Sequence, residues 1–319
     1  MPRVLVTGIS GFAGSHLAEL LVSRGDEVHG LAHEGPPFAN LRSIQDRVRI
    51  HEGDITRLED VQGALAGSRA DAVVHLAGMA VPTIASKDPI AAVRVNVLGT
   101  AAVLSALEEH PRTRLVFASS ADVYGAPDRI PVDEDAPLRP GNVYAATKVA
   151  SEALTRELAA RHAVPVVILR PANQNGPRQH PGLAASAFAK QIAEAEAGIA
   201  EPVIRHGRLD AERDFLDVRD MARAYAAALG LDESGTFNVG TGRAVPIAEI
   251  LDTLIALSRI PVRAELDQSR VRSGEPTRMA LDATRFRQKT DWSPQIALAD
   301  SLRDTLDHWR SSIRQGAQV

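Results

Sequence analysis

A glycine-rich turn near the start of the chain restricts the possible folds more than any other feature. Arg3–Thr7 predicts a short buried strand, and the glycines that follow, Gly8, Gly11 and Gly14, have G-x-x-G-x-x-G spacing. Apolar residues at helical spacing then continue from Ser15 to Ser23. The first glycine permits a tight turn, the second lets a pyrophosphate approach the backbone, and the third permits close packing of the helix. The pattern therefore predicts a dinucleotide-binding turn whose helix N-terminus faces the phosphates.

The end of the second predicted strand bears on which dinucleotide is bound. An acidic residue there would hold the adenosine ribose of NAD, but Ala32 occupies that position. This favours NADP over NAD, with His33 as a candidate for the 2′-phosphate and Glu34 opposing it. Asp54, after the third strand, has two interpretations, a hydrogen bond to adenine or a helix N-cap. The predicted contacts in the turn are Gly8, Ser10, Gly11, Phe12, Ala13 and Gly14.

Beyond the turn, short apolar runs alternate with helical stretches up to Arg170. The predicted strands lie at 27–32, 48–52, 72–76, 114–119 and 164–170, and the predicted helices at 58–65, 90–108 and 144–162. Continuous apolar strands between helices are typical of a parallel sheet that is covered on both faces. The predicted fold class is therefore α/β, a doubly wound parallel (Rossmann) sheet with right-handed crossovers.

After Arg170 the alternation ends, and the sequence predicts a smaller C-terminal substrate-binding lobe. Asn, Gly, Pro, Gln and His accumulate from Asn173 to Leu183, which indicates a functional loop. Helices are predicted at 185–196 and 247–258, and 215–229 is predicted as a strand end followed by a helix. Phe237–Val239 is assigned to the second lobe. The predicted dinucleotide domain covers 1–170 with about 213–236, and the lobe covers 171–212 and 237–319. Because no long linker separates them, we expect the site between the two.

Composition narrows the classes of partner. The 36 Lys and Arg against 40 Asp and Glu give a net charge of -4, which argues against broad binding to nucleic acid or acidic membranes. No run of about 18 apolar residues occurs, so no transmembrane helix is expected. The chain has no cysteine, which excludes disulfides, cysteine-ligated metal and a thiol nucleophile. We expect no metal site, and the composition fits a cytoplasmic protein.

Tyr144 and Lys148 are the first candidates for chemistry. They lie four residues apart on one predicted helix and so share a face. A phenol has a pKa near 10, and a neighbouring ammonium is expected to lower it. Tyr-x-x-x-Lys also occurs by chance on solvated helices. Ser120 favours the catalytic interpretation, because it ends the fifth strand, where doubly wound sheets bind ligands.

Together these segments resemble the extended short-chain dehydrogenase/reductase family, in its nucleotide-sugar branch, over essentially the whole chain. The resemblance implies hydride transfer at a sugar carbon, with Ser120 polarising the carbonyl, Tyr144 as acid/base and Lys148 as its partner. The motifs that carry it are 7–14, 53–54, 75–77, 96–100, 119–125, 144–148 and 170–179.

The same resemblance implies roles for several further residues. Asn96 would support the catalytic network, with a hydrogen bond inside its own helix as the alternative. Ser86 would lie near the nicotinamide or the sugar. The cofactor would also contact Ile55, Leu76 and Ala77, besides Tyr144 and Lys148.

Three reactions share this scaffold, namely 4-epimerisation, 4,6-dehydration and 4-keto reduction. Asp122 stands two residues after Ser120, where the dehydratases carry a glutamate for proton abstraction. An aspartate is one methylene shorter, so dehydration stays open. The alternative for Asp122 is a turn-capping role.

The second lobe resembles the GDP-6-deoxy-4-keto-mannose reductases in 173–179, 188–192, 213–220, Tyr225, 237–242 and 270–276. That likeness implies that Asn173 contacts the sugar or phosphate and that Lys190 and Arg213 approach the nucleotide. It also implies that Arg272 clamps the diphosphate, where an arginine fork fits, and that Glu275 binds ribose or guanine. The alternative for this basic loop is a solvated surface. Two residues depart from the reductase pattern. Arg178 stands where that pattern often has a small residue, and Ser273 stands where it often has proline.

The leading hypothesis is therefore an NADPH-dependent reductase of a GDP-linked 4-keto-6-deoxyhexose. One alternative is a 4-epimerase or 4,6-dehydratase of GDP-mannose or a UDP-sugar, and another is a non-catalytic NADP-binding module. The resemblance also implies a homodimer in which helices 90–108 and 144–162 pack against their copies. The Ala and Leu residues of these helices suit an internal core equally well.

Overall fold

The structure is a computed structural model that describes residues 2–271 and 277–316. Its strands are β1 (Arg3–Thr7), β2 (Glu27–Ala32), β3 (Val48–Glu52), β4 (Ala72–His75), β5 (Arg114–Ala118), β6 (Val166–Pro171), β7 (Asn173–Asn175), β8 (Val203–His206), β9 (Glu212–Asp217), β10 (Gly235–Val239), β11 (Ala244–Pro246) and β12 (Arg263–Leu266). Its helices are α1 (Phe12–Ser23), α2 (Leu58–Ser68), α3 (Pro82–Lys87), α4 (Pro89–Ala92), α5 (Gly99–Leu107), α6 (Val143–His162), α7 (Ala184–Glu196), α8 (Val218–Ala228), α9 (Ile247–Ala256), α10 (Thr284–Thr290) and α11 (Leu298–Arg314).

A seven-stranded sheet forms the centre of the molecule, in the order β10-β6-β5-β4-β1-β2-β3. All its neighbouring strands pair in parallel. The strand order reverses between β1 and β4, which is the switch point where doubly wound sheets bind ligands. The predicted fold class is confirmed.

The two faces of this sheet are covered by different helices because side chains alternate along each strand. Val4 and Val6 of β1 face one core, together with α1 and α8. Leu5 faces the other core, with α2, α5 and α6. A strand buried on both faces must be apolar throughout, which explains the continuous apolar runs in the sequence.

The second lobe has its own small sheets and its own core. One sheet has the order β11-β9-β7, and the other pairs β12 with β8. Helices α7, α9 and α11 surround a third apolar cluster that includes Phe188, Leu254 and Trp309. The segment from Asn173 to Leu183, which was predicted as a loop, is only partly a loop, because Asn173–Asn175 pairs in parallel with β9.

One assignment in the sequence analysis is corrected by the strand pairing. Phe237–Val239 was placed in the second lobe, but it belongs to β10, which pairs in parallel with β6 at the edge of the large sheet. Phe237 accordingly packs in the same core as Val4 and Val6. A short apolar run carries no information on which sheet it will join, so this placement needed the tertiary structure.

The predicted helix 90–108 is helical from Pro89 to Leu107, with a π-helical section at Val93–Leu98. Among the described residues, this is the one helix long and apolar enough to cross a membrane by length and composition, with a mean hydropathy of 1.8. No such helix was expected from the sequence. Of its apolar stretch, 44% is buried, and its C-terminal part packs against α2 and α6.

Candidate active site

The glycine-rich turn between β1 and α1 has no room for a side chain at Gly8 or at Gly14. Gly8 has a φ of +70°, and a Cβ there would lie 2.9 Å from the backbone of Ala77. A Cβ on Gly14 would lie 2.2 Å from the carbonyl oxygen of Gly8. Gly14 therefore lets the first turn of α1 pack closely on the glycine-rich turn itself. The turn is built for close approach of backbone to another group.

The N-terminus of α1 is open to an anion. Its N-cap residue, Gly11, makes no side-chain cap, and no acidic residue lies in the first turn. Phe12 and Ala13 begin this turn, and the Ser10 carbonyl oxygen accepts a hydrogen bond of 2.8 Å from the Asn40 side chain. Unpaired N–H groups and the helix dipole suit a pyrophosphate. These residues fit a dinucleotide cofactor.

The neighbouring strand ends place the other predicted cofactor residues. Ala32 is buried and His33 is exposed. Asp54 Oδ1 accepts hydrogen bonds from the N–H and hydroxyl of Thr56, at 2.8 and 2.9 Å, and the backbone bond lowers the pKa of Asp54. The N-cap interpretation of Asp54 is wrong, because the N-cap of α2 is Arg57 and no side chain caps that helix. Asp54 stabilises the turn before α2 instead, and its contact to adenine stays a prediction. The remaining residues are Ile55, which is buried, and Leu76 and Ala77, whose N–H groups donate to Thr7.

Ser120 and Tyr144 meet at the carboxyl end of β5. Their side chains share a hydrogen bond, and both residues are buried. Ser120 Oγ also accepts the N–H of Asp122 at 3.2 Å, which begins the short 3-10 turn Ala121–Tyr124. Burial and the nearby Asp122 charge raise the pKa of Tyr144 well above its ordinary value, and the Ser120 bond opposes them.

Lys148 lies one helical turn beyond Tyr144 on α6. Its Nζ donates to the Ala118 carbonyl at 2.7 Å and lies 5.1 Å from the centre of the Phe117 ring. Burial lowers the pKa of Lys148 to about 8, against the opposing effect of the Glu152 carboxylate. The expected lowering of the Tyr144 pKa by Lys148 is wrong for this structure, because burial and Asp122 dominate at the phenol.

Asn96 lies in the π-helical section and connects three parts of the site. Its Oδ1 accepts the Met79 N–H at 2.7 Å, and its Nδ2 donates to Thr147 Oγ1 at 2.8 Å. Its carbonyl oxygen accepts the hydroxyls of Thr100 and Ser151. The side chain therefore bridges the segment after β4 to α6, one residue before Lys148. This arrangement differs from a hydrogen bond inside its own helix and fits the predicted supporting role.

His75, at the end of β4, is a buried residue that the sequence indicated only as part of the motif 75–77. Its Nδ1 lies 2.7 Å from Thr7 Oγ1, and its Nε2 lies 3.2 Å from Thr100 Oγ1. Burial, with the charge of Lys148, lowers the pKa of His75 to about 3. The imidazole is neutral at physiological pH and joins β1, β4 and α5 beneath the site.

Stability should therefore fall in acid through His75. Below the ordinary pKa of about 6.5 the unfolded chain binds a proton at this histidine, whereas the folded chain does so only near pH 3. We expect this group to remove about 2 kcal/mol of the free energy of unfolding between pH 7 and pH 5. Urea denaturation across this range should show a shallower pH dependence for His75→Gln than for the wild type. His180→Gln, at an exposed position, should keep the wild-type pH dependence of the free energy of unfolding. An equal pH dependence for all three proteins would contradict the assignment of this acid loss of stability to His75.

Glu152 is a further buried residue that the sequence analysis missed. It is completely buried on α6, one turn beyond Lys148, and accepts the Ser119 hydroxyl at 2.5 Å. Arg170 binds both of its carboxylate oxygens, at 2.9 and 2.7 Å, and Arg156 adds a bond of 2.7 Å. The signal available in the sequence was its spacing, since Tyr144, Lys148 and Glu152 recur every four residues on one helix face.

The predicted substrate residues lie in separate elements. Ser86 is exposed on α3, where its neighbour Ala85 packs with Tyr144 instead. Lys190, on α7, lies 3.7 Å from a Glu194 carboxylate oxygen and 5.4 Å from the Trp309 ring centre. Asn173 lies on β7, and Arg213 lies on β9, where its guanidinium donates to the Glu212 carbonyl oxygen. Arg272 and Glu275 lie outside the described residues.

Comparison with known proteins agrees with this architecture. A family model described as GDP-mannose 4,6 dehydratase matches residues 5–305. The GDP-6-deoxy-D-mannose reductase of Pseudomonas aeruginosa is 33% identical over 317 residues, covering 98% of this chain and 99% of that protein.

Two solved structures extend the likeness to cofactor complexes. The UDP-glucose 4-epimerase of Thermus thermophilus in complex with NAD has a TM-score of 0.86 and 30% identity, covering 97% of this chain and 99% of that one. The structure of RMD from Pseudomonas aeruginosa complexed with NADPH has a TM-score of 0.83 and 29% identity, covering 98% and 99%. The predicted family is confirmed. The chain therefore belongs to the GDP-mannose 4,6 dehydratase family of short-chain dehydrogenases/reductases, and it is an NAD(P)-dependent oxidoreductase of nucleotide sugars.

Proposed function

We propose that this protein catalyses the NADPH-dependent reduction of the C4 keto group of a GDP-linked 4-keto-6-deoxyhexose. The observation that carries the proposal is the buried Tyr144 phenol, hydrogen-bonded to Ser120 and held protonated by its surroundings. A protonated phenol is the form that gives a proton to a carbonyl oxygen. Two further features support it: Ala32, at the position of the NAD-binding acid, and the likeness to a GDP-6-deoxy-D-mannose reductase along the whole chain.

The chain's own residues carry the proton side of this reaction. A bound NADPH supplies the hydride. The Ser120 hydroxyl donates a hydrogen bond to the carbonyl oxygen and so stabilises the negative charge that develops there. Tyr144 then transfers its phenolic proton to that oxygen, which completes the alcohol. Lys148 lies one helical turn away and holds its Nζ on the Ala118 carbonyl oxygen, at the end of β5 beside the site.

Asp122 supports 4,6-dehydration as a second candidate. Its carboxylate is near enough to Tyr144 to raise the pKa of the phenol, so it borders the reacting region. A carboxylate in that place suits abstraction of a proton from the sugar ring. Oxidation of an alcohol, which begins both dehydration and epimerisation, needs a base at this position.

A panel of sugar nucleotides tests these alternatives directly. Purified protein should oxidise NADPH, and NADH more slowly, when given a GDP-linked 4-keto-6-deoxy sugar. Turnover of GDP-mannose or a UDP-sugar without net consumption of cofactor would instead identify a dehydratase or an epimerase. Cofactor binding without turnover of any member of the panel would favour a non-catalytic module. Product stereochemistry at C4, read by NMR, distinguishes reduction from epimerisation.

We also propose that two copies of the chain pair through an apolar surface around the N-terminal half of the helix Pro89–Leu107, and that the enzyme acts in the cytoplasm. The surface contains Ile84, Ile90, Val93 and Leu98, and Ile90 and Leu98 are 74% and 54% exposed. Adjacent exposed apolar side chains of this size commonly mark interfaces. A two-fold axis lets one such patch cover its own copy.

Leu98→Glu should convert the dimer into a monomer, because a charge would be buried at the proposed interface. Light scattering coupled to gel filtration gives the mass of each species. Leu266→Glu is a matched control, since Leu266 is 55% exposed in the second lobe. A wild type that is monomeric at micromolar concentration, or a Leu98→Glu protein that stays dimeric, would refute this interface.

A further inference from the structure

Arg178, which departs from the reductase pattern in sequence, connects the second-lobe loop to the dinucleotide-binding half. Its φ of 73° is in the left-handed region, which non-glycine residues rarely adopt. Its Nη2 binds both carboxylate oxygens of Glu19, at 2.8 and 2.7 Å. Its Nη1 donates to the Asn40 carbonyl oxygen at 3.1 Å. One guanidinium thus joins α1, the segment after β2, and the loop after β7.

These contacts continue into the glycine-rich turn. The Asn40 side chain donates to the Ser10 carbonyl oxygen at 2.8 Å, and Ser10 lies inside the turn that leads into α1. Glu19 belongs to that same helix. The path from Ser10 through Asn40 and Arg178 to Glu19 therefore begins in the turn and ends on α1, and the backbone from Ser10 to Glu19 closes it. A closed path of this kind holds the turn and the start of α1 in one relative position.

A second contact fixes the loop beside Arg178. A ring nitrogen of His16, on α1, lies 3.0 Å from the Pro177 carbonyl oxygen. His16 is buried, and burial followed by the Arg178 charge lowers the pKa of its imidazole. The loop is therefore attached to α1 at two consecutive residues, so its position and that of the helix are coupled.

We propose that Arg178 is a positioning residue for the dinucleotide: it holds the glycine-rich turn and the segment from His33 to Asn40 in the cofactor-binding arrangement. The proposal rests on the proposed function in assuming a dinucleotide at this turn. Arg178 acts through its neighbours, because two of its guanidinium nitrogens are hydrogen-bonded to the Asn40 carbonyl oxygen and to the Glu19 carboxylate.

Arg178 is expected to increase dinucleotide affinity because it orders the segment from His33 to Asn40 before the ligand binds. Residues 33–37 are exposed at the carboxyl end of β2, beside the predicted place of the adenosine ribose. An unrestrained segment must be ordered when a ligand binds, and that ordering reduces affinity. Arg178 orders it beforehand through the Asn40 carbonyl. Loss of the guanidinium is therefore expected to weaken the dinucleotide and to hasten its release, with little effect on binding of the nucleotide sugar.

The test compares Arg178→Met with a chemically matched control in the full-length protein. Arg310 binds Glu196 through Nε and Nη2, at 2.7 and 2.6 Å, and donates to the Leu257 carbonyl at 2.9 Å, all in the second lobe. Calorimetric titration with NADPH and with NADP+ gives Kd, and stopped-flow displacement gives the release rate. Arg178→Met should raise the dinucleotide Kd about tenfold to thirtyfold, the effect of losing a charge-assisted pair. Arg310→Met should lower Tm and leave this Kd within twofold of the wild type.

Two further variants keep the proposal testable if Arg178→Met does not fold. If Arg178→Met is insoluble, Glu19→Gln removes the partner charge and should weaken dinucleotide binding in the same direction, and Arg178→Lys should restore part of the affinity. A dinucleotide Kd within twofold of the wild type in soluble Arg178→Met or Glu19→Gln overturns the proposal, and so does an equal loss in Arg310→Met. A wild type that binds no dinucleotide refutes the proposed function instead, so the two failures are distinguishable.

Discussion

Tyr144→Phe should lower kcat about a thousandfold while leaving the fold and the binding of dinucleotide intact. Proton transfer by a positioned side chain contributes roughly 10²- to 10⁴-fold, and phenylalanine cannot make it. The variant removes one hydroxyl, whose partner in the described structure is the Ser120 side chain, so the effect on packing is small. Steady-state kinetics with the sugar nucleotide that the wild type turns over measures the loss. Activity within tenfold of the wild type would exclude Tyr144 as the acid.

Tyr124→Phe is the matched control for this prediction. Its hydroxyl donates to Asn238 Oδ1 at 2.7 Å and accepts from Arg170 at 2.8 Å, in a buried network behind the site. Removing it takes the donor from the buried Asn238 Oδ1, at a cost of about 1–3 kcal/mol in the free energy of unfolding. Arg170 Nη1 keeps the Glu134 carbonyl oxygen as its acceptor. Tyr144→Phe should therefore lower the rate more than the stability, and Tyr124→Phe should do the reverse.

Glu152→Ala should produce the largest loss of stability, about 3–5 kcal/mol in the free energy of unfolding. The substitution leaves the buried Arg170 guanidinium without its carboxylate partner and removes the acceptor of the Ser119 hydroxyl. Breaking one side of a buried ion pair is far more costly than forming the pair is favourable, because the remaining charge stays out of water.

Glu157→Ala provides the comparison on the same helix. Glu157 is exposed and pairs with Arg161 at 3.0 Å, one helical turn away. Such exposed pairs contribute about 0.3–0.5 kcal/mol. Chemical denaturation of both variants and the wild type at pH 7 measures the difference, and similar losses for the two would contradict a structural role for the buried ion pair of Glu152.

The sequence was most informative where function depends on a local pattern. The glycine-rich turn predicted the first strand, the first helix and the tight turn between them, because each requirement lies within a few consecutive residues. Ser120, Tyr144 and Lys148 were found in the same way, since a strand end and a helix face are both readable from spacing. In the structure Ser120 and Tyr144 are hydrogen-bonded, and Lys148 donates to the last residue of β5, two residues before Ser120.

Features that depend on distant residues were missed or assigned wrongly. The pKa of Tyr144 was expected to be lowered by Lys148, but the burial of the phenol and the charge of Asp122 decide its direction. Glu152 was not selected, because its partner Arg170 lies 18 residues away and the two meet only after β6 joins the sheet. Phe237–Val239 was placed in the wrong sheet for the same reason. Each error concerns a contact between elements rather than an element itself.

The position of β10 in the large sheet also determines how the molecule can open. The backbone leaves that sheet after Pro171, returns to its face after Asp217 and leaves it again after Val239. Two bodies joined by several backbone connections can rotate only about an axis that passes close to all of those connections, since every connection has to bend at once. Each half is built from separate stretches of the chain, so cutting the backbone at any one of these connections would leave neither half complete.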